Sequence, residues 1–192
     1  MLSLPDYPFR AYLFDCDGTV ADSMPLHYVA WQRVLEQQKC PFPEEQFYAT
    51  AGQPAANLIA ALNKQHGLAM DAASVQEKKE AMYLELVPQV KPIADVVEII
   101  ARATLPMAVV SGGPRDVVMR TLRALGLVEK FGAIVCAEDY VRGKPAPDPF
   151  LVGAQLLGIP ARDCLVFEDA PLGIESAIAA GMQHVLVPRP TR

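Results

Sequence analysis

No stretch of this sequence stays apolar for the ~20 residues that a helix needs to cross a bilayer. None joins a basic cluster to the amphipathic period of a membrane-surface helix. Basic residues are the minority, 17 Lys and Arg against 22 Asp and Glu for a net charge of −5, which argues against a grip on nucleic acid. The opening MLSLPDYPFR lacks the basic-then-apolar order of a signal peptide, so a cytosolic location is expected. Cysteine is scarce and scattered: Cys16, Cys40, Cys136 and Cys164 form no CxxC pair and read as reduced core residues rather than disulfides or zinc ligands. Internal repeats and low-complexity segments are absent. Apolar side chains are plentiful, 52% of 192 residues, enough for one substantial domain or for one domain carrying a smaller insert, and too many for a disordered chain. A monomer is the default expectation.

Five short apolar stretches read as strands buried on both faces: Ala11–Asp15, Met107–Ser111, Ala133–Cys136, Cys164–Glu168 and His184–Val187. Helical periodicity fills the later gaps at Asp95–Ala103, Arg115–Leu125, Pro149–Leu157 and Leu172–Ala180, the last three followed by Gly126, Gly158 and Gly181 as stops. Alternating strand and helix predicts an α/β fold, a Rossmann-like parallel sheet covered by helices on both faces. One gap breaks the rhythm. A crossover needs about a dozen residues, yet roughly Asp22–Val90 separates the first two strands, with helical patterns at Leu26–Gln37, Ala55–Gln65 and Ala72–Val87. The expected division is a core of residues 1–20 and 91–192, and a small inserted α-helical domain of residues 21–90. Val20–Pro25 and Pro88–Pro92 serve as its linkers.

Parallel strands deliver their carboxyl ends to one edge, where ligands bind. The first strand gives Asp15 and Asp17, and alternation sends both to one side with Cys16 on the other. The second gives Ser111, Gly112 and Gly113; the third leads through Glu138 and Asp139 to Gly143-Lys144-Pro145; the fourth gives Glu168 and Asp169. Six carboxylates gathered there would repel one another. A hard cation such as Mg2+, held in part by Asp15 and Asp169, relieves the repulsion. Ser111, the glycine backbone and the following helix start form an anion site to which Lys144 adds charge. Together these point to phosphoryl transfer onto a carboxylate, with a small phosphate ester as partner.

Each feature also has a plainer reading. Asp17-Gly18 is a common turn dipeptide, and Ser111 could merely cap a helix. Lys144 could be a solvated loop lysine, and Glu168-Asp169 could cap the helix at Pro171. Glu138-Asp139 reads better as a surface turn. What favours the chemical reading is that the four pieces occur together.

The series Asp15-Cys16-Asp17-Gly18-Thr19, Ser111, Gly143-Lys144-Pro145 and Glu168-Asp169 resembles the haloacid dehalogenase-like superfamily. The passages GKPAPDPF, VFEDAPLGIESAIAAGM and DSMPLHYVAW resemble its branch of β-phosphoglucomutases and sugar phosphatases, and the resemblance covers nearly the whole chain. It implies that Asp15 is the nucleophile that becomes an aspartyl-phosphate, and that Asp17 is the general acid and base. It implies that Mg2+ is bound by Asp15, the backbone carbonyl of Asp17 and Asp169, with Glu168 beside it. Ser111 and Lys144 then hold the phosphoryl oxygens, with Gly112 next to them. The insert becomes a cap that chooses the leaving group, and His27, Gly52 and Lys79 are its candidate substrate contacts. His27 could instead simply pack at helical spacing from Trp31. Lys79 could yield its role to Lys78, or both could form a solvated face.

The expected function is a Mg-dependent phosphatase of a small phosphorylated metabolite such as a sugar phosphate. The rival is a phosphohexomutase. The resemblance leads one to expect an arginine after the cap glycine in a mutase, and Gly52-Gln53-Pro54-Ala55-Ala56 has none. A phosphorylated receiver domain, which carries its acceptor aspartate mid-chain, fits less well.

Overall fold

A computed structural model describes residues 2–190. Its five strands are β1 (Ala11–Phe14), β2 (Met107–Val110), β3 (Ala133–Val135), β4 (Cys164–Glu168) and β5 (Gln183–Leu186). They form one sheet in the order β3-β2-β1-β4-β5, every pair parallel. Four later helices cover it: α5 (Ala94–Arg102), α6 (Arg115–Ala124), α7 (Asp148–Leu157) and α8 (Pro171–Ala179). The two faces follow from strand alternation. Phe14, Val109, Leu165 and Phe167 pack with Val96 and Ile100 of α5 and Val118 and Leu122 of α6. Leu13, Val110 and Val166 pack the other way, with Phe150 and Ala154 of α7 and Ala177 of α8. Two helices per face is the arrangement that strand–helix alternation predicts. Cys16 lies in the first of these layers, fully buried.

Boundaries differ from the sequence reading by one residue at several ends. Asp15, Ser111 and Cys136 lie just past their strands, because each begins the turn that leaves the sheet. Helices α7 and α8 each start one residue early, with Pro149 second in α7 and Pro171 first in α8, first-turn positions where proline costs no hydrogen bond.

Between β1 and β2 lie α1 (Met24–Gln37), α2 (Glu44–Ala49), α3 (Ala55–His66) and α4 (Ala72–Leu86). Helix α2 was not expected; six residues after Pro43 are too few to show a period. These helices bury their own cluster, including Trp31, Leu35, Phe42, Phe47, Ile59, Leu62 and Val75. Asp71 caps α4 by accepting a hydrogen bond from the Ser74 N–H at 2.8 Å. The connecting segments run side by side: Asp22 N–H donates to the Lys91 carbonyl at 2.8 Å, and Ile93 N–H to that of Val20 at 3.0 Å. A second small cluster, Ala30, Tyr83, Leu86 and Val87 against Val117, ties this helical insert to α6. The Tyr83 and Thr121 hydroxyls meet there at 2.9 Å.

Candidate active site at the carboxyl edge of the sheet

The central strand β1 ends at the middle of the edge, so Asp15 is flanked by what β2 and β4 deliver. Lys144 Nζ reaches it at 2.6 Å, and also donates to Glu168 Oε2 at 2.6 Å and to the Val110 carbonyl at 3.2 Å. All three side chains are at most a tenth exposed. Asp15, Glu168 and Asp169 each offer an oxygen, and these oxygens lie within 4.8 Å of one another. Burial pushes the Asp15 carboxyl well up, and the neighbouring Glu168 charge adds to it against the pull of Lys144. Burial and Glu168 likewise push Asp169 up, to about 7. Burial would lower Lys144, but Asp15 and Glu168 raise it instead. Three carboxylates therefore cluster about one ammonium, which bonds Asp15 and Glu168, and negative charge is in excess. An all-oxygen donor set with uncompensated charge fits a hard divalent cation such as Mg2+.

Asp17 is held apart from this cluster. The Ser23 hydroxyl donates to Asp17 Oδ1 at 2.6 Å, and His27 Nε2 lies 3.1 Å from the same oxygen. Burial alone would raise Asp17; His27, the Ser23 hydrogen bond and the Lys79 charge outweigh it and bring the carboxyl down to about 2. Burial and Lys79 lower His27 in turn, against the pull of Asp17. The two acids one residue apart thus occupy separate environments.

The close approach of these groups depends on two glycines. Gly18 has φ +94°, and a Cβ there would lie 2.3 Å from Asp169 Oδ2. In the first turn of α8, a Cβ on Gly173 would fall 2.0 Å from the Glu168 carboxyl. That carboxyl is fixed by Lys144 and by the Ala170 N–H at 3.1 Å, so it has nowhere to go. Gly173→Ala is expected to cost at least about 2 kcal/mol, read as a lower melting temperature. Gly112→Ala, whose Cβ would meet nothing within 4 Å, is expected to leave the melting temperature in place.

Most of the predicted residues line one cavity of about 370 Å³ between sheet edge and insert. Its floor holds Asp15, Asp17, Ser111, Gly112, Lys144 and Asp169, and its roof holds His27, Gly52 and Lys79. Three alternatives left open by the sequence are decided by the structure, and Glu138-Asp139 takes the surface-turn reading. Glu138 and Asp139 do not join the cluster: Glu138 accepts from the Arg115 N–H at 3.0 Å, and Asp139 pairs with the Arg115 guanidinium and accepts from the Cys136 N–H. The amino end of α6 is thereby partly taken by Glu138, and the Gly113 N–H turns back to Ser111 Oγ at 3.0 Å. The expected anion site therefore has fewer N–H donors than the bare helix start offers. Lys78 is exposed while Lys79 is buried, so the pair is not a solvated face. His27 does not pack on Trp31 alone; its ring stacks on Tyr83 at 3.7 Å and serves Asp17.

Sequence reasoning passed over four supporting residues. Thr19 closes the Asp15–Thr19 series and Ser23 stands in DSMPLHYVAW; the Thr19 hydroxyl donates to Asp169 Oδ1 at 3.2 Å, and Ser23 fixes Asp17. Tyr83 and Tyr140 carry no local signal, because the first acts by stacking on another helix and the second by donating to the Ser111 carbonyl at 3.0 Å.

A parallel α/β sheet with paired aspartates leaving its central strand, a lysine bridging two strand ends and a helical insert after β1 defines a phosphoryl-transferring enzyme. The chain belongs to the haloacid dehalogenase-like hydrolase family, whose model matches residues 12–187, and it is a phosphoric monoester hydrolase. It is 35% identical over 180 residues to the fructose-1-phosphate phosphatase YqaB of Escherichia coli, covering 92% of this chain and 95% of that one. It is 33% identical to hexitol phosphatase A of the same organism, with 94% and 84% covered. Among solved structures it is similar in fold to CbbY of Rhodobacter sphaeroides in complex with phosphate, with a TM-score of 0.81 at 22% identity, over 94% of this chain and 86% of that one.

Proposed function

We propose that the chain is a Mg-dependent phosphatase of a sugar or sugar-alcohol monophosphate that works through an aspartyl-phosphate on Asp15. The observation that carries this is the separation of the two acids: Asp15 bound to Lys144 among buried carboxylates, Asp17 held by Ser23 and His27. The first acts on phosphorus and the second on the leaving oxygen. The relatives' substrates, a ketose phosphate and hexitol phosphates by name, support the substrate class.

Asp15 attacks phosphorus while Ser111 and Lys144 hold phosphoryl oxygens. Asp17 gives a proton to the departing alkoxide, then takes one from the water that attacks the aspartyl-phosphate; the proton returns to Asp17 and phosphate leaves. Without ligands the two acids are poised the opposite way, Asp15 raised and Asp17 lowered. Positive charge beside Asp15 lowers it, and a phosphoryl dianion beside Asp17 raises it, so the working protonation states arise on loading. Mg2+ would be held by Asp15, Asp169 and the Asp17 carbonyl, with Glu168 alongside, and supplies charge to the phosphoryl oxygens. Residues 21–90 act as a cap over the core of 1–20 and 91–192, excluding water and selecting the leaving group.

Hydrolysis is favoured over the mutase reading by the roof segment Gln53-Pro54-Ala55, which lines the cavity and carries no arginine for a second phosphate. Phosphate release from a panel of sugar phosphates, nucleotides and phosphoglycolate is expected for the sugar esters and is expected to stop on chelation with EDTA. Interconversion of glucose 1- and 6-phosphates without phosphate release would establish the mutase instead. Full turnover in EDTA would remove the metal from the scheme.

A further inference from the structure

The roof of the cavity carries a polar group that the hydrolytic chemistry leaves unused. Helix α4 presents Gln76, Lys79, Glu80 and Tyr83 at helical spacing, and the first three line the cavity. Lys79 is 7% exposed. Its ammonium lies 5.6 Å from the ring centres of both Trp31 and Tyr83, and it donates to Glu80 Oε1 at 3.2 Å. The other carboxylate oxygen, Glu80 Oε2, is buried and has no hydrogen-bond partner among the described residues. A buried carboxylate oxygen left without a donor costs free energy unless a bound molecule supplies one.

Resting on the phosphatase reading above, we infer that Glu80 is a specificity residue that accepts a hydrogen bond from a hydroxyl of the leaving group, beside a hydroxyl that Lys79 donates to. The pair is electrically neutral as a unit, and this sets the ligand's charge. A lone lysine above the site would welcome a second phosphate. With Glu80 bonded to it, Lys79 is already compensated, and Glu80 Oε2 repels a second anion while inviting an O–H. The chemistry recognised is a neutral, polyhydroxylated carbon chain bearing one phosphate, and a bisphosphate is disfavoured. A site built to bond a hydroxyl rejects an ester that lacks one, because its own polar groups are then unpaired.

The test compares fructose 1-phosphate, fructose 1,6-bisphosphate and p-nitrophenyl phosphate on the full chain. In wild type, kcat/KM for the monophosphate is expected to exceed that for the bisphosphate by at least about tenfold. Glu80→Gln keeps the shape and removes the charge. It is expected to lower kcat/KM for fructose 1-phosphate by roughly ten- to a hundredfold and to narrow the gap to the bisphosphate. Turnover of p-nitrophenyl phosphate, which has no hydroxyl to offer, should hold within about twofold. Equal losses on the sugar and aryl esters, or no loss on either, would overturn the role of Glu80. Should the variant not fold, the wild-type preference decides, and equal turnover of mono- and bisphosphate overturns the proposal. A wild-type protein that cleaves none of the three esters overturns the phosphatase reading itself, an outcome distinct from the others.

Discussion

Asp15→Asn is expected to abolish phosphate release, with kcat falling by more than about a thousandfold, while the protein keeps or gains thermal stability. The two effects have one cause. Burial and the Glu168 charge raise the Asp15 carboxyl, so the folded state favours its acid form more than the unfolded chain does. The stability linked to this group is complete at acid pH and is lost as pH rises through the raised value. An amide does not titrate and keeps nearly the same shape. At pH 8 without divalent cation the variant is expected to melt at or above the wild-type temperature. Added Mg2+ should then raise the melting temperature of wild type more than that of the variant. A variant that melts well below wild type yet releases phosphate would place the nucleophile elsewhere.

Lys144→Met is expected to cost both activity and fold. The lysine is the ammonium shared by Asp15 and Glu168 at 2.6 Å each, and its side chain is 8% exposed. Breaking a buried pair by removing one partner costs about 3–5 kcal/mol, because the other charge remains. In a chain of this length that lowers the melting temperature by roughly 10 °C. Methionine still packs on Phe150, whose ring centre lies 5.0 Å from the ammonium, so the loss is one of charge rather than volume. Millimolar Mg2+ should recover part of the melting temperature but none of the turnover, since the phosphoryl oxygens lose a donor as well. Differential scanning calorimetry with and without the ion, beside a phosphate-release assay, separates the two.

Much of this site could be read in the sequence because parallel strands leave no choice about where their carboxyl ends go. Once β1, β2 and β4 are recognised as buried strands, Asp15, Ser111 and Glu168 must share an edge. Lys144 follows because the segment after β3 returns to the same edge. What the sequence left open has a different physical origin. Glu138 and Asp139 stand on that edge too, but Arg115, whose partner Asp139 is 24 positions away in sequence, draws them aside. The choice between Lys78 and Lys79 turns on the rotation of α4. Val75, Tyr83 and Leu86 form a buried stripe that includes position 79, a cue the strong polarity of the surrounding residues obscures. The stacking of Tyr83 on His27 depends on how two helices cross, which no local pattern encodes.

The sheet order carries a consequence for biosynthesis. The strand bearing the proposed nucleophile is the first of the five to be made, yet one of its two neighbours is β4, the fourth; Thr19 and Asp169, bonded across this seam, are 150 positions apart. During translation β1 can pair with β2 on one side while its other edge stays bare until β4 emerges from the ribosome. Catalytic competence therefore waits on β4, as a switch thrown when that strand pairs with β1. Nascent chains halted before β4 would be inert toward phosphate esters and would display an open, sticky strand edge of the kind chaperones shield.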